Sequence, residues 1–269
     1  RRDRSVGGHT RGVARHPYLE HEGPIAFAHR GGTAAAPENT MAAFEHAVDL
    51  GYRYLETDVH RTTDGVLVAF HDADLSRTCG IERNIGEMSA AEVAEARVQG
   101  ADGSEYPIPL MSELLDRFPD RRFNIDAKSD ESVEPLARLI DERGDLDRVC
   151  LASFSYRRLR RRRSLLGPRL ITNMSPQEIV PLRTVGRMSR RLHRNAQVPT
   201  GFRRIDVVDR RFIDRAHGAG IDVHVWTINE REEMERLLEL GVDGIMTDET
   251  GLLRDVMLER NEWSEAGHG

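Results

Sequence analysis

The chain's 269 residues are 39% hydrophobic and 31% charged, enough to bury a sizeable core within one domain. A formal net charge of −6 and a pI near 6.0 argue against a general nucleic-acid binder, whose affinity rests on phosphate neutralisation. Cys79 and Cys150 are too few for a disulfide framework and are not spaced as a metal-binding pair, and no apolar run approaches the roughly 20 residues of a membrane span.

The opening stretch RRDRSVGGHTRGVAR carries five arginines and one aspartate but no apolar h-region, so it is not a secretory signal. It predicts a basic, disordered tail over residues 1–20 and a cytoplasmic location. A removed leader stays open, because the chain does not begin on methionine, and a peripheral membrane contact stays open through the arginine-rich stretch YRRLRRRRSLLGPRL. Beyond the tail, short apolar runs alternate with amphipathic stretches, the pattern of repeated βα units around a parallel sheet. Predicted strands are Ile25–His29, Tyr54–His60, Val66–Phe70, Arg122–Asp126, Val149–Ser153, Arg169–Asn173, Asp222–Thr227 and Gly244–Thr247, eight in all. Predicted helices are Thr40–Leu50, Glu131–Glu142, Asp209–Ala219, Arg231–Leu240 and Gly251–Glu259. Thr40, Asn229 and Thr250 are expected as N-caps, and Gly51, Gly220 and Gly241 as left-handed terminators. The expected fold is α/β: a (β/α)8 TIM barrel over residues 21–260, with a hairpin-like connection between the second and third strands and a flexible C-terminal tail over 261–269.

That connection, Thr62-Thr63-Asp64-Gly65, is too short for a parallel crossover and suits a hairpin. If Asp64-Gly65 is a two-residue loop, strict pairing sets Asp58 opposite His71. Glu56 and Asp58, two apart on one strand, share a face. Two like charges on a buried face call for a cation between them, and oxygen ligands favour Mg²⁺ or Ca²⁺ over zinc. A strand whose charged face simply meets solvent fits the same spacing. Asp126 ends another predicted strand, with Lys128 two positions on, and His29 ends the first. Active sites of such barrels gather at the C-terminal strand ends, so these groups can meet without being close in sequence.

The motifs AHRGG, PENT, YLETDVH, TTDG and FHD follow one another between Ala28 and Asp72, and NIDAK, VHVWTIN and GVDGIMTD come later. In this order and spacing they resemble the glycerophosphodiester phosphodiesterase family, over essentially Ile25 to Leu258. The resemblance implies a (β/α)8 barrel that binds one divalent cation, Mg²⁺ or Ca²⁺, and hydrolyses glycerophosphodiesters to glycerol 3-phosphate and an alcohol. It implies His29 and His71 as the catalytic acid/base pair, and Glu56, Asp58 and Asp126 as metal ligands. Arg30 and Lys128 match positions that meet phosphate or glycerol, and Trp226 one that lines the pocket. Many relatives have glutamate where this chain has Asp126, and TDETGLL replaces a proline-containing turn at the last strand.

Phosphodiester cleavage needs charge neutralisation at the non-bridging oxygens, an activated nucleophile and a protonated leaving group. A metal with Arg30 answers the first need, and two histidines of reference pKa about 6.5 divide the others. Proximity to Asp58 across the hairpin favours His71 as the acid. Other features read as structural. Asn39 and Thr40 suit turn and cap chemistry, the arginine-rich YRRLRRRRSLLGPRL suits a solvated helix face, His224 suits a packed position inside the barrel, and Met88, Met111 and Met246 suit the core. The expected partner is a small soluble glycerophosphodiester, with no nucleic acid, no stable membrane insertion, and a monomeric or homodimeric state. Two other readings are a lysophospholipase D-type enzyme on lipid phosphodiesters and a catalytically silent, phosphodiester-binding barrel. The stretch from His71 to Ile108 lacks the apolar character of a lipid-facing rim and is short for a separate cap domain.

Overall fold

The computed structural model describes residues 15–185, 195–202 and 205–264. Its main strands are β1 (Ile25–Ala28), β2 (Tyr54–Arg61), β3 (Leu67–Ala69), β4 (Arg122–Ala127), β5 (Val149–Ala152), β6 (Ile171–Thr172), β7 (Asn195–Val198), β8 (Asp222–Val225) and β9 (Gly244–Thr247). All but β3 pair in parallel, in the order β6-β5-β4-β2-β1-β9-β8-β7, and a parallel bridge between Asn173 and Asn195 brings the two ends together. The ring is therefore an eight-stranded TIM barrel.

Helices α1 (Met41–Asp49), α2 (Met111–Arg117), α3 (Val133–Arg143), α4 (Tyr156–Leu166), α5 (Pro176–Val185), α6 (Arg210–Gly218), α7 (Arg231–Leu240) and α8 (Thr250–Glu259) follow the strands. Alternate strand residues pack outward against them. Leu55, Val59, Phe123, Ile125 and Leu151 meet Phe44, Leu114, Leu136 and Ile140 in one cluster, and Val198, Val223, Val225 and Ile245 meet Phe212, Met234, Leu237 and Leu253 in another. The intervening residues line the lumen, whose lower end is filled by Phe27, Tyr54, Cys150, Ile171 and Met246. Fully burying one such side chain is worth about 1.5–3 kcal/mol.

Several expectations are corrected. The run Val66–Phe70 is not one of the eight barrel strands; its core, β3, pairs antiparallel with β2. The eighth place belongs to Asn195–Val198, which the apolar pattern misses because Asn195 and Gln197 are buried polar residues on it. The hairpin loop has three residues, not two: the Thr62 N–H donates to the Val66 carbonyl at 2.9 Å, with Gly65 at φ 90°. That extra residue moves the register by one, so Phe70 rather than His71 lies opposite Asp58, and the Phe70 N–H donates to the Asp58 carbonyl at 3.0 Å. Thr40 caps α1, accepting from the Ala43 N–H at 3.3 Å, whereas Glu230 and Glu249 hold the cap positions expected of Asn229 and Thr250.

The expected tails end differently as well. Residues 1–14 and 265–269 lie outside the described residues, but Tyr18 and Leu19 are fully buried and plug the bottom of the barrel. There Arg122 donates to the carbonyls of Tyr18 and Glu20 at 3.2 and 2.6 Å. Trp263 stacks edge-on with Tyr52 at 5.1 Å. The arginine-rich α4 is solvated along most of its length, but Arg162 is fully buried and donates to the Ala152 carbonyl at 2.7 Å. Between β3 and α2 the chain makes two small antiparallel pairs, Asp74–Leu75 with Ile81–Asn84 and Arg97–Gln99 with Glu105–Pro107. This insert has its own apolar cluster around Leu75, Ile85, Val93 and Val98. No described helix is long and apolar enough to cross a membrane.

Candidate active site

β2 and β4 run side by side with Tyr54 against Arg122, Glu56 against Asn124, and Asp58 against Asp126. Their outward neighbours Leu55, Val59, Phe123 and Ile125 face the helices, so these six point into the lumen. The rungs change character up the barrel. At the bottom the Tyr54 hydroxyl meets Arg122 at 2.5 Å; in the middle the Gln197 amide donates to Asn124 at 2.9 Å; at the top stand the two aspartates. The charged face of β2 is therefore inside the barrel, with Glu56 and Asp58 at 5% and 2% exposure.

Two cations flank Asp58. Lys128 Nζ lies 2.7 Å from one carboxylate oxygen and 2.9 Å from Asp126, while Arg30 Nε lies 3.1 Å from the other. The Asn39 amide adds a bond to Asp58 at 3.3 Å and accepts one from Thr57 at 2.8 Å, so PENT contributes to the site as well as the turn. The loop after β1 is tightly constrained. Arg30 and Asn39 sit at φ 52° and 57°, the Asn39 N–H donates to the Arg30 carbonyl at 2.8 Å, and a Cβ on Gly31 would come within 2.8 Å of the Phe44 nitrogen. In this geometry the Arg30 N–H donates to Glu56 at 3.0 Å.

Burial, and next the Asp58 charge, push the Glu56 carboxyl up to about 7. Burial pushes Asp58 the same way, but Lys128 and Arg30 outweigh it and hold that carboxyl below its ordinary range. The pair thus lacks enough fixed positive charge for both members to ionise comfortably.

Each predicted histidine has its own aspartate. His29 Nδ1 is 2.6 Å from Asp248, and its Nε2 is 3.8 Å from Glu56; the Asn229 amide holds Asp248 from behind at 2.9 Å. The β1–β9 register, with Ala28 beside Thr247, is what sets the next residues His29 and Asp248 together. Burial depresses the His29 imidazole, but Glu56 and Asp248 outweigh it, and its pKa is raised. His71 Nδ1 is 2.7 Å from Asp72. An ionised carboxylate only accepts, so in both pairs Nδ1 carries a proton and Nε2 is the ring nitrogen turned away from the aspartate. Trp226, just past β8, meets Phe154, just past β5, edge-on at 5.4 Å, and Phe154 is 58% exposed.

The structure thus brings His29, Arg30, Glu56, Asp58, Asp126 and Lys128 into one linked cluster at the C-terminal strand ends. His71 directly follows Phe70, whose N–H donates to the Asp58 carbonyl, and Trp226 belongs to the same end of the barrel. Sequence reasoning missed Asp248, Asp72, Asn229, Glu38 and Arg77. Glu38, Asp72, Asn229 and Asp248 stood within the motifs PENT, FHD, VHVWTIN and GVDGIMTD, and Asp248 also follows the last strand at the catalytic end as His29 follows the first.

Glu56, Asp58 and Asp126 are hard oxygen donors, and the raised Glu56 carboxyl is the mark of buried negative charge that a cation would relieve. By chemistry they fit Mg²⁺ or Ca²⁺. Among the described residues, however, no three His, Cys, Asp or Glu side chains are grouped closely enough to enclose an ion, and Lys128 lies between Asp58 and Asp126.

The parallel barrel thus gathers two His–Asp contacts and two cations beside buried carboxylates at its C-terminal end, and the family of the chain makes it a phosphoric diester hydrolase. The model of the glycerophosphoryl diester phosphodiesterase family matches residues 29–252, and the chain belongs to that family, whose members hydrolyse glycerophosphodiesters. It is 36% identical over 258 residues to "Probable glycerophosphodiester phosphodiesterase 2" of Mycobacterium tuberculosis, covering 93% of this chain and 96% of that one. It is 28% identical to a human lysophospholipase D, over 85% and 84% of the two chains. In fold it is similar to an Oleispira antarctica phosphodiesterase solved with its product sn-glycerol-3-phosphate, with a TM-score of 0.74, 23% identity, and coverage of 87% and 97%. A Parabacteroides distasonis glycerophosphoryl diester phosphodiesterase gives a TM-score of 0.74 at 22% identity, covering 93% and 92%.

Proposed function

We propose that this protein cleaves small glycerophosphodiesters to glycerol 3-phosphate and an alcohol, with His29 and His71 exchanging the two protons of the reaction. The observation that carries this reading is the pair of His–Asp contacts, 2.6 Å at His29 and 2.7 Å at His71, at one barrel mouth with Arg30 and Lys128. One imidazole Nε2 takes a proton from the attacking oxygen, that of water or of the glycerol 2-hydroxyl, as it bonds to phosphorus. The phosphorus–oxygen bond to the alcohol breaks, and the other imidazolium returns a proton to the departing oxygen. Where the glycerol hydroxyl attacks, water then opens the cyclic phosphate to glycerol 3-phosphate. Asp248 and Asp72 fix the rings and stabilise whichever imidazolium forms. Arg30 and Lys128 offset charge on the non-bridging oxygens, and Trp226 lines the pocket. Glu56, Asp58 and Asp126 would hold one Mg²⁺ or Ca²⁺, which when bound supplies Lewis-acid stabilisation of the phosphoryl oxygens.

The hairpin register removes the reason for preferring His71 as acid, and leaving-group dependence assigns the roles instead. His29→Ala and His71→Ala should each lower turnover by about 10² to 10⁴-fold with the fold retained. An activated aryl phosphodiester should rescue only the variant that has lost the acid. Wild-type turnover in both variants would refute the mechanism. The exposed Phe154 beside Trp226 favours a second reading, a lysophospholipid whose acyl chain, on the glycerol side, packs there while the head-group alcohol leaves. Assaying glycerophosphodiesters beside monomeric lysophospholipids decides between them.

A further inference from the structure

Arg77 lies on a short helix of the insert, Ser76–Cys79, and is 49% exposed. Its guanidinium meets two carboxylates from different parts of the chain. Nε donates to Asp72 at 2.5 Å, while Nη2 and Nη1 donate to the two oxygens of Glu38 at 2.5 and 3.2 Å. Both acceptors continue into the site. Asp72 uses its other oxygen on His71 Nδ1 at 2.7 Å, and Glu38 accepts from Arg30 Nη1 at 3.0 Å, whose Nε in turn lies 3.1 Å from Asp58. The unbroken sequence His71–Asp72–Arg77–Glu38–Arg30–Asp58 therefore ties one histidine to the phosphate clamp.

Ordinary stability does not account for this arrangement. Half-exposed ion pairs are worth little to the fold, because solvent screens them and long side chains lose entropy in holding them. Their geometry is another matter. A planar guanidinium that takes one carboxylate with two parallel donors and a second carboxylate with a third donor fixes the angle between those acceptors, and an ammonium cannot do this. With Arg77 on one oxygen of Asp72, the carboxylate is held in the orientation that aims its other oxygen at His71 Nδ1.

We infer that Arg77 is a positioning residue for catalysis, a strap that clamps the insert to the loop after β1 and so sets His71 and Arg30 at a fixed separation. This rests on the proposed roles of His71 and Arg30. Catalytic geometry is sensitive to small displacements, and outer partners of reacting groups commonly contribute about 10- to 100-fold in rate.

The test compares Arg77→Ala and Arg77→Lys with wild type and with His71→Ala, on glycerophosphocholine at saturating substrate and divalent cation, alongside Tm. Arg77→Ala should lose about 10- to 100-fold in kcat, while Tm moves by no more than about 3 °C. Arg77→Lys should recover only part of the loss, and added methylguanidinium, which can enter the half-exposed site, should restore turnover in Arg77→Ala with saturation. Glu38→Gln, which opens the strap from the other side, should lower kcat, and combining it with Arg77→Ala should be clearly less than multiplicative. A kcat for Arg77→Ala within twofold of wild type, or a loss that methylguanidinium leaves unchanged, overturns the inference. If His71→Ala is crippled and Arg77→Ala is not, only the strap falls; if His71→Ala keeps full turnover, the acid–base reading falls and the strap with it.

Discussion

His224 offers a quantitative test of how the barrel interior treats a titratable group. It is fully buried on β8, its ring lies 4.9 Å from that of Phe27, and neither ring nitrogen has a hydrogen-bond partner among the described residues. Burial, reinforced by the charges of His21 and Arg15, pushes its pKa down to about 3, against 6.5 for a free histidine. The folded form therefore resists a proton that the unfolded chain accepts readily, so unfolding takes up protons between these two values. Stability is complete above about pH 6.5 and is lost as pH falls toward 3. At pH 5 the unfolded imidazole sits about 1.5 pKa units above ambient pH, which gives a loss of about 2 kcal/mol relative to pH 7. His224→Leu keeps an apolar side chain of similar size and removes the titration. Urea unfolding of both proteins at pH 7 and pH 5 isolates the effect, because acid-sensitive groups that do not act on His224, such as His60, are common to both and cancel. The variant should gain about 2 kcal/mol on wild type between pH 7 and pH 5, whatever their difference at pH 7. A double difference below about 0.5 kcal/mol would show that the His224 site admits water or a counter-charge and refute the reasoning.

Chelation should abolish phosphodiesterase activity and lower Tm, and Mg²⁺, Ca²⁺ or Mn²⁺ should restore both; full turnover in excess chelator would remove the metal from the mechanism. Asp248→Asn preserves shape but no longer fixes the His29 tautomer, so kcat should drop at least about tenfold with little change in KM, and an unaffected kcat would exclude Asp248 from the reaction. Tyr18→Ala empties the fully buried plug beneath Tyr54 and should cost about 3–5 kcal/mol in urea unfolding, with a loss under about 1 kcal/mol showing that the plug is dispensable to the fold.

The sequence alone carried the βα alternation, the (β/α)8 class, the family motifs and the set of groups at the strand ends. These signals are local. The strand predicted over Tyr54–His60 is found at Tyr54–Arg61, and α7 reads correctly because its apolar period is unbroken and ends on Gly241. The tertiary structure decided what local patterns cannot encode. A barrel strand is buried on both faces, so Glu56 and Asp58 could not be placed in lumen or solvent until the ring closed around them. For the same reason β7, with polar Asn195 and Gln197 in a dry interior, did not resemble a strand at all. One additional loop residue at Thr63–Gly65 shifted the β2–β3 register, a choice that depends on backbone hydrogen bonds rather than composition. The partners of both histidines and of Arg30 were settled last. Asp248 reaches His29 only because the final strand pairs with the first, and Arg77 reaches Glu38 only because the insert folds back onto the loop after β1. Ring closure and insert docking are non-local contacts, and their geometry is fixed by packing across the whole chain, not by any one stretch of it.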